Sequence, residues 1–255
     1  MLYLINSPFA EKIKTIGNDR VKFLNNILSN DIKNIKSGGH SSAALLSAAG
    51  KVLAFMEVLV FDDFILLVVE KNQVEKTMEL LNRYIITEDV ELKNVSSEFP
   101  LPEIPMSEEA FEVSRIEAGQ LRYGINMDDT VTLSETGLDD IAASETKGCY
   151  PGQEVVARTK TYQGLQKKMT GLVFNSELIP KAGDKIYSAD GQKEIGRITS
   201  ACFSPGFKKG IALGYLLKGF FDPGISVGIQ TAGKTIKANT AKLPFTSLFQ
   251  EGPRE

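Results

Sequence analysis

From about residue 168 to residue 239 the chain repeats one pattern, a short apolar run followed by a glycine turn. The runs fall at 169–174, 185–187, 195–202, 211–216, 226–231 and 235–239, and Gly183-Asp184, Asp190-Gly191, Pro223-Gly224 and Gly233 punctuate them. Strands at this spacing, with no 3.6-residue period between them, predict a small antiparallel β-barrel. The preceding part reads differently. Asp19 is placed to cap a helix that sets Phe23, Leu24, Ile27 and Leu28 on one face. Gly38-Gly39 then breaks the chain, and strands are expected at 43–46, 52–61 and 64–69, with Asp62-Asp63 as a turn. A second helix, over 72–84, carries Val74, Met78, Leu81 and Ile85 at helical spacing. Pro100, Pro102 and Pro105 mark a connecting loop, Ser107 caps a third helix, and Gly119 ends it in the left-handed conformation. Helices and strands are mixed rather than strictly alternating, so this part is α+β. The expected division is an α+β domain over 1–165 and a β-barrel domain over 166–255.

Composition narrows the function. At 255 residues, 42% hydrophobic and 24% charged, the chain buries enough surface for a core of its own and is not disordered. Twenty-nine Lys and Arg against 32 Asp and Glu leave a net charge of −3, so neither direct nucleic-acid binding nor an anionic membrane surface is expected. Two cysteines exclude a disulfide framework, and one histidine argues against a His-based metal cage, so no metal ligands are assigned. The most apolar window, 52–69, is interrupted by Glu57, Asp62 and Asp63, and a membrane span needs about 20 residues mostly free of charge. The first 20 residues lack the pattern of a secretory or organellar leader. A cytoplasmic location is the expectation.

Three places are candidates for chemistry. Lys147-Gly148-Cys149-Tyr150-Pro151-Gly152-Gln153-Glu154 is a glycine- and proline-rich loop around a cysteine. Lys147, two residues away, would favour a thiolate at Cys149; the bland alternative is an inert, partly buried cysteine. Charge is segregated about this loop: 123–146 holds six acids and no cation, and 155–176 holds Arg158, Lys160, Lys167 and Lys168 and no acid. This reads either as two solvated faces or as a basic wall for an anionic ligand. Glu117 falls in the last turn of the third helix, where the helix dipole opposes its charge and a partner is expected: a ligand N–H, or else Arg115 or Arg122. His40 reads as a loop histidine, and Cys202 as a plain strand residue.

The Lys147–Glu154 run matches every fixed position of the signature K-G-C-Y-x-G-Q-E of the YgfZ family of folate-binding, iron–sulfur-related proteins, and the chain resembles that family. Arg115–Gly124 (RIEAGQLRYG) resembles a run of the wider superfamily that includes the glycine cleavage T-protein, an aminomethyltransferase. FLNNILSNDI at 23–32, IGRITSACFSP at 195–205 and the segments 210–215 and 243–245 resemble other parts of that superfamily. The resemblance implies an aminomethyltransferase-like, α+β folate-binding body, part of it ferredoxin-like, followed by the small C-terminal barrel. It implies tetrahydrofolate as cofactor, with Glu117 accepting hydrogen bonds from the pterin. Tyr150, Gln153, Glu154, Arg158 and Lys160 would border the folate. Cys149 would serve as a redox-active or cluster-contacting thiolate, assisted by Lys147. The implied role is an accessory factor for iron–sulfur clusters, including those of tRNA-modifying radical enzymes, with iron–sulfur proteins or the cluster-assembly machinery as partners. A folate-dependent one-carbon transferase and a non-catalytic scaffold with a vestigial pocket are the alternatives. For the transferase, an ungapped reading places Met56-Glu57 where the T-protein resemblance calls for a catalytic aspartate.

Overall fold

Apolar runs bounded by turns build most of the first sheet. The computed structural model describes Leu4 and residues 7–99, 107–161 and 164–245, and the three prolines at 100–105 lie outside these residues. The strands β1 (Ala10–Ile16), β2 (His40–Leu46), β3 (Val52–Val60), β4 (Ile65–Glu70) and β5 (Glu91–Asn94) form a five-stranded sheet in the order β2-β3-β4-β1-β5. All neighbours are antiparallel. One face of the sheet is covered by α1 (Arg20–Ile27) and α2 (Val74–Asn82). Phe23, Leu24 and Ile27 from α1 and Val74 and Leu81 from α2 share a buried cluster with Ile13, Met56, Val58 and Leu67 from the strands. If the edge strand β2 is set aside, the path β1–α1–β3–β4–α2–β5 is the β-α-β-β-α-β pattern of ferredoxin-like folds.

Several local expectations change. Asp19 stands at the N-cap of α1, yet its carboxylate makes no cap bond; it accepts from the Asp89 amide at 2.9 Å. His40, expected in a loop, is the exposed first residue of β2. β1 has no counterpart in the sequence reading because lysines alternate with its apolar residues (AEKIKTI). Lys12 is buried along its stem, and its ammonium donates to the carbonyl of Phe99, the kind of arrangement in which a cationic tip escapes an apolar surface.

The chain divides into two compact units that are not contiguous in sequence. Met1–Pro105 and Met127–Gln163 form one, and Met106–Asn126 and Gly164–Glu255 form the other. The second differs from a single cut near 165 by taking in the segment that holds α3 (Glu108–Glu117). Its barrel contains β6 (Lys167–Phe174), β7 (Lys185–Ser188), β8 (Glu194–Ser204), β9 (Lys209–Leu217), β10 (Ser226–Thr231) and β11 (Lys234–Ala241), closed in the order β10-β11-β6-β9-β8-β7. Each strand overlaps one of the six runs expected from the glycine punctuation. Leu172, Ile186, Ile198, Leu216 and Ile229 fill the interior. Gly210 makes room within it: a Cβ there would stand 2.0 Å from the Phe174 ring.

α3 is built as its sequence suggests. The Ser107 hydroxyl accepts from the Ala110 amide at 3.2 Å, and Gly119 ends the helix at φ +64°, a conformation that residues with a Cβ rarely adopt. What ties it to β8 is Arg115, which is 2% exposed. Its Nε and Nη2 both donate to Glu112 Oε2, at 2.8 and 2.6 Å. Its Nη1 donates to Asn126 Oδ1 and to the Gln120 carbonyl, and its Nη2 also reaches Ser200 Oγ at 2.8 Å. Arg122 donates to the other Glu112 oxygen at 2.8 Å. Burial opposes charge on Glu112, but the two guanidiniums outweigh it and hold the carboxyl below its ordinary pKa. Removing a buried guanidinium takes five hydrogen bonds from this network, and although Arg122 still faces Glu112 the loss is expected to approach that of breaking a buried ion pair, about 3–5 kcal/mol. Arg115→Met is therefore expected to destabilise the protein by about that amount in denaturant titrations. A loss below about 1 kcal/mol, the level of an exposed pair, would contradict this reading of the network.

Candidate functional site

The Cys149 loop is framed by three short helices: α4 (Leu133–Thr136), α5 (Asp139–Ala142) and α6 (Gln153–Thr161). A reciprocal capping box starts α4, with the Glu135 amide donating to Thr132 Oγ1 and the Thr132 amide to Glu135 Oε2. Ser29, wholly buried, anchors the far end of the frame. Its hydroxyl donates to the Ala142 carbonyl and accepts from the Ala44 amide, and its own carbonyl accepts from the Ser144 amide at 3.0 Å. At the other end Gly152 lies flat on the β2–β3 turn. Its φ is +78°, and a Cβ there would come within 2.5 Å of the Ser47 carbonyl oxygen and 3.0 Å of the Gly50 Cα. Close backbone approach is thus the reason for Gly152. Gly148 is different: a Cβ there would meet nothing within 4 Å.

Between these anchors Cys149 is exposed and Tyr150 is buried. The Tyr150 amide donates to Gln153 Oε1 at 3.3 Å, which links the loop to the first residue of α6. Lys147 does not extend into solvent. Its ammonium donates to the carbonyls of Asn25, Leu28 and Asn30, the last at 3.2 Å, and lies 4.8 Å from the centre of the Tyr150 ring. Burial pushes its pKa down to about 8, with the charge of Asp31 acting in the opposite direction. A cavity of about 330 Å³ opens beside the loop, lined in part by Ser144, Glu145, Lys147, Tyr150, Gln153 and Glu154. Arg158 is exposed on α6; Lys160 is on the same helix, with its side chain outside the described residues. Lys167 and Lys168, from the same cation-rich run, belong to β6 in the other unit.

Glu117 is the last residue of α3 and belongs to the barrel unit, not to the unit that carries Cys149. Its Oε1 accepts from the hydroxyl of Ser204, a fully buried residue at the end of β8, and that hydroxyl also accepts from the Phe207 amide at 3.0 Å. The partner that the helix dipole calls for is thus supplied by the barrel, and Arg115 and Arg122 engage Glu112. Cys202, one turn of strand away, is half-buried. Burial, followed by the charge of Glu117, pushes its thiol up to about 12.

One further group is the acid within an apolar strand that the ungapped reading sets in place of the T-protein's catalytic aspartate. Glu57 on β3 is 6% exposed and sits opposite Ser42 of β2. Ser42 Oγ donates to its Oε1 at 2.6 Å, whereas Oε2 is buried without a hydrogen-bond partner. Among the described residues no group of three His, Cys, Asp or Glu side chains is placed to hold a metal ion, and no helix is long and apolar enough to cross a membrane.

Comparison with known proteins adds context to this geometry. Residues 167–246 match the family described as the glycine cleavage T-protein C-terminal barrel domain. An aminomethyltransferase from Porphyromonas gingivalis is 34% identical over 137 residues, 53% of this chain and 37% of that protein. One from a Nostoc species is 28% identical over 246 residues, 96% of this chain and 60% of that protein. The chain therefore spans less than two thirds of the length of these relatives. The crystal structure of glycine cleavage system aminomethyltransferase T from Bartonella henselae has the same fold, with a TM-score of 0.81 at 18% identity over 95% of this chain and 88% of that one.

Two outcomes follow from the burial of these groups. Cys149 should be alkylated at neutral pH while Cys202 stays unmodified until the protein is unfolded, as read by peptide mass; equal labelling of the two in the folded protein would contradict the contrast in exposure. Glu57 has its pKa raised above 4.5, burial being the largest cause and the Ser42 hydroxyl opposing it. An acid whose folded pKa is raised contributes stability below its unfolded value and loses it as pH rises through the folded one. Denaturation of wild type and Glu57→Gln should therefore show the variant gaining on wild type as pH rises above the ordinary carboxylate range; a difference independent of pH would rule this out.

Proposed function

We propose that this chain is a member of the glycine cleavage T-protein (aminomethyltransferase) superfamily and, within it, a tetrahydrofolate-binding accessory factor of the YgfZ type. Its role would be to help form or maintain iron–sulfur clusters, including those of tRNA-modifying radical enzymes. The observation that carries this reading is the exposed thiol of Cys149 in a loop anchored at both ends, inside the run K-G-C-Y-P-G-Q-E. A cluster or a partner's sulfur needs a thiol that is reachable yet held in place, and this loop offers one.

The chemistry of Glu117 fits a pterin. A carboxylate has about four lone-pair sites, and the Ser204 hydroxyl takes one while fixing the plane of the group. The remaining sites suit the two parallel N–H groups of an aminopyrimidinone edge, a bidentate pairing that sets orientation as well as affinity. When bound, tetrahydrofolate supplies a reduced ring that carries one-carbon units. Tyr150, Gln153, Glu154, Arg158 and Lys160 are assigned to the folate, and the two cations are of the right sign for its carboxylate tail. Cys149 would present its sulfur to the cluster protein, with Lys147 holding its loop.

A second reading, folate-dependent aminomethyl transfer, is favoured by the names of the relatives, with Glu57 or Glu117 acting on the reacting proton. Turnover of an aminomethyl donor separates the two. For the leading reading, Glu117→Gln replaces one acceptor oxygen by a donor and should weaken tetrahydrofolate binding by about 1–3 kcal/mol in calorimetry, the cost of a buried unpaired polar group. Unchanged affinity would remove Glu117 from the site. In cells lacking such a factor, wild type should restore iron–sulfur enzyme activity and Cys149→Ser should not; equal rescue would remove Cys149 from the mechanism.

A further inference from the structure

The last turn of α1 has no basic residue of its own, although the final carbonyls of a helix lack partners within it. Lys147 supplies one from far along the chain. Its ammonium reaches Asn25, in that last turn, and Leu28 and Asn30 just beyond it. The arrangement is that of a helix C-cap by a cation, which satisfies open carbonyls and complements the negative end of the dipole. The Tyr150 ring covers the ammonium from the loop side. Cys149 lies between these two residues in sequence, with Gly148, unsupported by any neighbour within 4 Å of its Cβ position, on one side. Without the lysine, nothing described at 147 or 148 would fasten the N-terminal half of the loop except the bond from the Lys147 amide to Ser144 Oγ.

We infer that Lys147 is a positioning residue for Cys149: its ammonium fastens the cysteine loop to the C-terminal end of α1, and its charge acts on those carbonyls rather than on the thiol. This deepens the proposed function, which takes Cys149 as the working group, and it reverses the sequence expectation that Lys147 activates the sulfur by its field. The acid whose charge raises the ammonium's pKa is Asp31, on the α1 side of the contact.

The test uses the full-length protein without folate. Amide hydrogen exchange is measured over 144–152 and over 24–31 in wild type, Lys147→Met and Lys147→Arg. Alkylation of Cys149 is measured with neutral iodoacetamide and with anionic iodoacetate, read at that residue by mass. Positioning predicts that Lys147→Met raises exchange about tenfold in both segments together, since charge-assisted bonds are lost at both. It also predicts that Lys147→Arg, which keeps donors and charge, stays closer to wild type, and that the iodoacetate-to-iodoacetamide ratio is the same in Lys147→Met as in wild type. A ratio that falls severalfold with exchange unchanged would overturn the inference, because the lysine would then be acting on the thiol by charge. If Lys147→Met does not fold, wild type alone decides. The ratio at Cys149 in the folded protein should not exceed that of the same thiol in urea-unfolded chain, and a higher folded ratio would overturn the inference. A chain that bound no folate would sink the proposed function and leave this result standing.

Discussion

Arg115 carries five N–H donors and a permanent charge into a place almost sealed from water, and all five find acceptors: Glu112 twice, Asn126, Ser200 and the Gln120 carbonyl. The acceptors come from α3, from the turn that follows it and from β8. Asn126 then donates onward to Thr199 and Ser200. A half-satisfied network of this kind costs more than an apolar contact, so α3 and β8 either assemble in this register or lose much of what the burial offers. The register also sets Glu117, two residues further along, against Ser204 at the end of the same strand. The carboxylate proposed to meet the pterin is therefore held in place by a guanidinium that never needs to touch it.

The same device recurs with a different cation. Lys147 is fixed by backbone carbonyls, and Lys12 similarly reaches the carbonyl of Phe99. In these cases a long side chain crosses from one segment to another and ends on main-chain oxygen. Arg115 stands where several side-chain acceptors converge; Lys147 stands where backbone carbonyls surround a point.

Much of the fold was readable from the sequence because it rests on local rules. The glycine turns located the six barrel strands, Ser107 and Gly119 bounded α3, and the spacing of Phe23, Leu24 and Ile27 marked α1. What escaped were features decided at a distance. β1 is hidden by Lys12, which is buried and ends on a main-chain carbonyl, and by the half-buried Lys14, so its pattern looks polar. The grouping of 106–126 with the barrel depends on Arg115 finding Ser200, 85 residues away. At the site, the exposure of Cys149 and the need for glycine at 152 agree with the loop's composition. The direction of the Lys147 ammonium does not follow from its nearness to Cys149 in sequence, because acceptors 117–122 residues away in α1 and the segment after it decide it.

The interleaving of the two units has a consequence for biosynthesis. A ribosome delivers chain from the N-terminus, and units made of contiguous sequence can fold as they emerge. Here neither can. The sheet unit lacks its Cys149 frame until residue 163 is out, and in the interval α3 has already emerged without the strand that accepts its guanidinium. From then until β8 is synthesised, Arg115 must remain hydrated on a helix of only 10 residues, too short to persist alone in water. The stretch that holds α3 thus waits for its acceptors on β8, and protein truncated before β8 would leave it without them.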